Sequence, residues 1–369
     1  MGDVPRIARA RRLAVGHPCA DVPMTIVVTG AAGSVGRRVC ELLACSHSGE
    51  VLGLDLRPPE SVPPGLEFKS LDLLTADLGP VFAGTDTLVH LVSALSADGA
   101  ANTDGRIDLA IARRVLDAAT VAGVGHVVLV STAMVYGAWP DNPVPITEDA
   151  PVRPVPELDF AMQKTQLERL GLDWRTDHPD GVLTVLRPAV TVAEDHPGGL
   201  ARILHSATTI VSEEGDPPAQ FLQADDLATA IETVLTQRVD GVLNVAPDGW
   251  IPAEELAALA GPKPRLRVPG WLARRLAAVR YRLGLAPTPP GIVPYTTYPW
   301  VVSNDRLRGL GWRAGNTNEE AYVAAHAAGP LDMLTARRRQ TLALGAMAAV
   351  AVGLAGAVAF GVVRLRRTR

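Results

Sequence analysis

"MTIVVTGAAGSVGRRVCELLA", residues 24–44, decides how the rest of the chain is read. Thr25 to Thr29 is a short run rich in β-branched residues, apolar on both faces, as a buried parallel strand requires. Gly30-Ala-Ala-Gly33-Ser-Val-Gly36 follows, and then a helical pattern through Val39, Leu42 and Leu43. Each glycine has its own task. Gly30 permits the tight turn out of the strand, Gly33 lets the backbone approach a pyrophosphate, and Gly36 lets the helix pack close to the sheet. The helix start, at Ser34 and Val35, presents free N–H groups and a positive dipole to phosphate. Three glycines at this spacing are a weak signal by themselves.

The residues that follow strengthen it. "VLGLDL" (51–56) is a second strand carrying Asp55 about 20 residues after the last glycine, where a carboxylate accepts ribose hydroxyls and repels a 2′-phosphate. This favours NAD over NADP, with Arg37 and Arg57 as nearby cations that soften the preference. "FKSLDLL" (68–74) places Asp72 after a third strand, "DTLVHLVSAL" (86–95) is a fourth, "GHVVLVSTAMVYG" (125–137) a fifth and "VLTVLRPAV" (182–190) a sixth. Helical patterns alternate with them, as over 107–122. The expected fold is α/β, a Rossmann-type doubly wound parallel sheet, with a smaller C-terminal substrate region.

The chain resembles the extended short-chain dehydrogenases/reductases of the NAD-dependent epimerase/dehydratase branch, which includes UDP-glucose 4-epimerase and, more distantly, 3β-hydroxysteroid dehydrogenases. The matching stretches are "TGAAGSVG", Asp55, "LDL" (71–73), "HLVSA" (90–94), "VSTAMVYG" (130–137), "LRPAVTV" (186–192), "FLQADDLATAI" (221–231) and "GVLNVAPDG" (241–249), in the family's order over roughly residues 24–330. The resemblance implies a cofactor site of Gly30, Gly33, Ser34, Val35, Gly36, Asp55, Asp72, Leu73, Leu91, Val92, Ser93, Lys164 and Pro188. It implies that Thr132 hydrogen-bonds the substrate oxygen; chemistry alone favours a strand-end threonine serving local backbone, and position within the motif reverses that. It implies a structural carboxylate, tying a loop to the sheet, at the pair Asp225 and Asp226, and a homodimer through helices near 107–122 and 157–174.

One departure stands out. Family members carry Tyr-x-x-x-Lys on the helix after "YG", where the lysine holds the nicotinamide ribose and lowers the tyrosine pKa for proton transfer. Here "FAMQK" (160–164) keeps Lys164 in register but has Phe160 in place of the tyrosine, and no Tyr-x-x-x-Lys occurs anywhere in the chain. Three readings are open: another acid (Asp159, Tyr136, Glu194 or His196), a reaction served by Thr132 with water and cofactor, or a nucleotide-binding scaffold without turnover.

Composition bounds the rest. Net charge is −4, giving no reason to expect nucleic-acid binding. Three cysteines without a Cys-x-x-Cys pair suggest neither a metal site nor a disulfide framework, and fit a reducing compartment. Residues 1–23 read as a disordered basic tail or as an over-long start before Met24. Residues 24–190 read as the NAD-binding domain, 191–330 as a substrate-binding region interleaved with the last sheet strands, and 331–341 as a basic linker. Leu342 to Val363 is an uncharged apolar run of 22 residues between arginine clusters, and 364–369 is a basic tail. That run is long enough for a transmembrane helix. "VPGWLARRLAAVRYRLGL" (268–285) is a basic amphipathic helix, suited to a lid or to a membrane interface. The expectation is therefore a single-pass membrane protein with its nucleotide-binding domain in the cytoplasm. It would be an NAD-binding oxidoreductase or epimerase/dehydratase acting on a sugar nucleotide or a membrane lipid such as a sterol or polyprenyl compound. The alternative is a catalytically silent NAD-binding scaffold or redox sensor at the membrane.

Overall fold

The structure is a computed structural model and describes residues 24–92, 105–193, 200, 204, 210–260, 266–285 and 289–325. Seven parallel strands form the main sheet: β1 (Ile26–Thr29), β2 (Val51–Asp55), β3 (Leu66–Ser70), β4 (Thr87–His90), β5 (His126–Val130), β6 (Val182–Pro188) and β10 (Gly241–Val245). Their order across the sheet is β10-β6-β5-β4-β1-β2-β3. The order reverses between β1 and β4, so the C-terminal ends of these two strands open a crevice.

The strands are apolar on both faces because helices cover both. Ile26 and Val28 of β1, with Val128 and Val130 of β5, point to one core, and helix α1 (Ser34–Ser46) closes it with Val39, Cys40 and Leu43. Val27, Val127 and Leu129 point to the other. There the short α2 (Gly79–Phe82) contributes Phe82, α3 (Gly105–Ala122) contributes Val115, Leu116 and Ala119, and α4 (Asp159–Asp177) contributes Leu167 and Trp174. Alternate residues thus feed opposite cores, as the two-residue period of a strand dictates.

Beyond β6 the chain builds two small parallel pairs, β7 (Val190–Val192) with β9 (Phe221–Gln223) and β8 (Ile210–Ser212) with β11 (Leu266–Val268). Helix α5 (Ala224–Gln237) precedes β10, and the short α6 (Ala253–Leu259) and then α7 (Gly270–Arg282) follow it. The seventh main-sheet strand therefore comes from beyond residue 190. Asp226 of α5 accepts from the Gly315 and Asn316 backbone N–H groups at 2.6 and 3.2 Å, tying a distant loop to the first turn of α5. Among the described residues no helix is long and apolar enough to cross a membrane. The run 342–363, the tail 1–23, Ser93, Glu194 and His196 lie outside the described residues.

Candidate active site

The glycine loop is shaped by close backbone approaches. Gly30 has φ +79°, and a Cβ there would lie 3.0 Å from the Val92 nitrogen, so the ends of β1 and β4 nearly touch. A Cβ on Gly36 would lie 2.0 Å from the Gly30 carbonyl oxygen. Gly36 thus fits the first turn of α1 against the loop itself, a tighter constraint than packing on the sheet. Gly33 precedes the helix, and no side chain caps it. The N–H groups at Ser34 and Val35 are left for an outside acceptor, with the helix dipole behind them.

Asp55 ends β2 beside this loop. Its Oδ2 accepts the Ala32 N–H at 3.0 Å, which holds the carboxylate against the loop and leaves lone pairs on both oxygens. Of the neighbouring cations, Arg38 pairs with Glu41 and Asp225, each at 3.3 Å, and Arg37 lies 4.0 Å from Glu41. Asp72 accepts from Leu74 N–H at 2.9 Å and from the Thr75 hydroxyl at 3.1 Å, pinning the turn after β3. Leu73 is buried in the second core, and its carbonyl accepts from Arg114 Nε at 3.0 Å. Leu91 and Val92 continue β4 into the crevice, with the Leu91 N–H donating to Thr29 O at 3.0 Å. Pro188 closes β6 and is buried.

The reaction end lies where β5 meets α4. Thr132 is buried, and its Oγ1 accepts the Met134 N–H at 3.3 Å, capping a single 3₁₀ turn over Ala133–Tyr136. The local role weighed for this threonine is therefore filled, while its hydroxyl proton stays available. Lys164 is 7% exposed, and its Nζ donates to Val130 O at 3.0 Å. Burial pushes its ammonium from the ordinary 10.5 down to about 8, against the opposing pull of Asp108 and Glu168. Phe160 sits one turn earlier with its ring centroid 6.0 Å from Nζ. These two residues line a small cleft with His90, Val92, Asp108, Leu109, Gln163 and Leu167. Burial, with Lys164 nearby, pushes His90 down to about 3, so its ring is neutral; its Nδ1 is hydrogen-bonded to Thr29 Oγ1 at 2.8 Å.

Tyr136 is no substitute acid. Its hydroxyl donates to Asn244 Oδ1 at 2.9 Å and accepts from Arg187 Nη1 at 2.8 Å. Burial pushes its pKa up, with Arg187 opposing. Arg187 in turn forms a two-pronged buried pair with Glu168, at 2.6 and 3.0 Å, and Glu168 accepts from Ser131 Oγ at 2.5 Å. The sequence reading missed this network. Its one signal was an arginine inside the apolar strand "VLTVLRPAV". Asp159 is exposed at the first turn of α4, where its charge complements the helix dipole. Among the described residues no group of three His, Cys, Asp or Glu side chains is placed to hold a metal.

Residues 26–246 match the sequence profile of the NAD dependent epimerase/dehydratase family. The chain belongs to this family. An uncharacterized protein of Mycobacterium tuberculosis is 26% identical to this family member over 317 residues, 83% of this chain and 84% of the relative. Among solved structures, MoeE5 in complex with UDP-glucuronic acid and NAD is similar with TM-score 0.62 and 20% identity, over 81% of this chain and 97% of that one. The UDP-glucose 4-epimerase of Thermus thermophilus, in complex with NAD, is similar with TM-score 0.60 and 21% identity, over 83% and 100%. At these identities the structural likeness is one of fold.

Proposed function

We propose that the chain binds NAD across the crevice and acts as an oxidoreductase or epimerase/dehydratase on a sugar nucleotide, or on a membrane lipid such as a sterol or polyprenyl compound. We place it on the membrane through residues 342–363, with the nucleotide-binding domain in the cytoplasm. The observation that carries the cofactor reading is the uncapped start of α1 beside a carboxylate clamped to the same loop. Ser34 and Val35 N–H groups would hold the diphosphate, and Asp55 the adenosine ribose. Lys164 has three N–H donors, of which Val130 O takes one; the others suit the nicotinamide ribose. NAD, when bound, supplies the hydride acceptor. Thr132 can donate its hydroxyl proton to a substrate oxygen while still accepting from Met134.

A second reading is favoured by one observation. Phe160 removes the phenol, and the Tyr136 hydroxyl is committed to Arg187 and Asn244. A silent NAD-binding scaffold or redox sensor accommodates this directly. The test uses the whole chain in detergent with NAD and a panel of UDP-sugars and sterol alcohols, following both net NADH formation and conversion of the substrate to an epimer or dehydrated product. We expect turnover by the wild type, a gain of about 10²–10⁴-fold in Phe160→Tyr, and loss in Lys164→Ala. Reaction confined to the tyrosine variant would establish the scaffold reading instead, and unaltered turnover in Lys164→Ala would remove the lysine from the site.

A further inference from the structure

We propose that the outer face of α7 and the residues just after it, 271–285, lie on the membrane surface and recognise anionic phospholipid headgroups. This rests on the membrane anchor proposed above and adds an orientation to it. The first observation is charge segregation. From residue 256 to residue 304 the chain contains no Asp or Glu, yet it carries Lys263, Arg265, Arg267, Arg274, Arg275, Arg280 and Arg282, in a protein whose net charge is −4. Arg267 pairs with Asp216, whereas the four arginines of α7 have no carboxylate partner among the described residues.

The second observation is apolar exposure on the same helix and in the residues just after it. Of the fourteen exposed large apolar side chains among the described residues, five fall here: Trp271, Val279, Tyr281, Leu283 and Leu285. Trp271, Leu283 and Leu285 are 61%, 66% and 68% exposed, far more than scattered surface residues of a packed lid would need. The inner side is already occupied. Gly270 and Ala273 are buried, and Ala273 packs with Leu272 and Ala277 against Val268 and Val293. Gly270 lies so close to the Glu214 carboxylate that a Cβ would sit 2.7 Å from it. What remains outward is tryptophan interleaved with arginine, and the Arg275 guanidinium rests 5.6 Å from the Trp271 ring centroid. Such a surface places an aromatic ring at headgroup depth while the guanidinium groups stay with phosphate.

The third observation is reach. Sixteen residues, 326–341, separate the described chain from the apolar run at 342, a span of at most roughly 55 Å. A tether of that length keeps α7 at high effective concentration over the bilayer, so a modest intrinsic affinity suffices. Arginines 337–339, just before the run in sequence, add the same sign of charge.

The test uses the full-length chain in vesicles of phosphatidylcholine, alone or mixed with phosphatidylglycerol. A fluorescent label goes on Ala278→Cys, on the outer face between Arg274, Arg275 and Arg282, with Cys19→Ser and Cys45→Ser as background. Cys40 stays, because it is buried and its thiol is pushed up to about 12. A control label goes on Val121→Cys, exposed on α3. Nitroxide-bearing lipids should quench the Ala278 label several-fold more than the control, and more with phosphatidylglycerol present. Each of Arg274→Gln, Arg275→Gln and Arg282→Gln should reduce the docked population about fivefold. Carbonate-resistant flotation reads the anchor separately. Flotation with equal quenching at both labels overturns the docking inference alone. Quenching indifferent to lipid charge and to the arginines overturns the headgroup recognition. Failure to float overturns the anchor and the docking together.

Discussion

Phe160 gives Lys164 an aromatic neighbour with no ionisable group. Beside a tyrosine, the Lys164 charge would stabilise a phenolate; beside a phenyl ring 6.0 Å away there is nothing to ionise. The lysine is nonetheless buried, and burial brings it to about 8 from 10.5. Between these values the unfolded chain holds a proton that the folded chain has released, so stability rises with pH across the window. The penalty is complete below about 8 and absent above 10.5. The wild type should therefore gain stability relative to Lys164→Met as pH rises from about 8 to 10.5, read by urea unfolding at fixed pH steps; a constant difference would contradict the buried lysine. Asp55 makes the other residue-scale prediction. Asp55→Ala should weaken NAD more than NADP in calorimetric titrations, because it removes both a ribose acceptor and the charge that repels a 2′-phosphate. Equal losses would take the carboxylate out of cofactor selection. The register of Phe160 and Lys164 was legible from the sequence. The commitment of Tyr136 was not, since its partners Arg187 and Asn244 lie 51 and 108 positions away.

Elements meet at the network of Ser131, Glu168, Arg187, Tyr136 and Asn244. It links the end of β5, α4, β6, the 3₁₀ turn and β10, and so holds Thr132 and Lys164 in fixed relation. Arg187 and Glu168 are both buried, with side chains 6% and 7% exposed. Removing one charge leaves the other without its counter-ion in a poorly solvated site. Glu168→Gln should destabilise the fold by about 3–5 kcal/mol, measured by urea unfolding. An effect within experimental error would mean that solvent reaches the pair. Helix α7 shows the same limit of sequence reading from the other side. Its alternation of arginine with apolar residues is plain in "GWLARRLAAVRYR", but which stripe faces the body depends on Val268 and Val293.

For the whole molecule, the sheet order puts the glycine loop, Asp55 and the β4 end at one edge, at the point where strand order reverses. In sequence, sixteen residues separate the apolar run at 342–363 from the last described residue. If residues 342–363 anchor the chain as proposed, the whole chain should sediment with membranes and resist carbonate, and a chain lacking residues 337–369 should be stripped by carbonate. Retention of the shortened chain at low salt, reversed by high salt, is the further expectation if α7 docks electrostatically. By itself the sequence determined the parallel α/β sheet, the glycine loop with Asp55, and the spacing of Phe160 and Lys164 on one helix. These are local signals: strand apolarity, glycine spacing and helical register are written in neighbouring residues. Only the tertiary structure decided that Gly36 packs on Gly30, that Leu73 is core, and that Tyr136 belongs to Arg187 and Asn244. Each of these joins residues distant in the chain, and burial and hydrogen bonding across such distances arise only once the sheet has assembled.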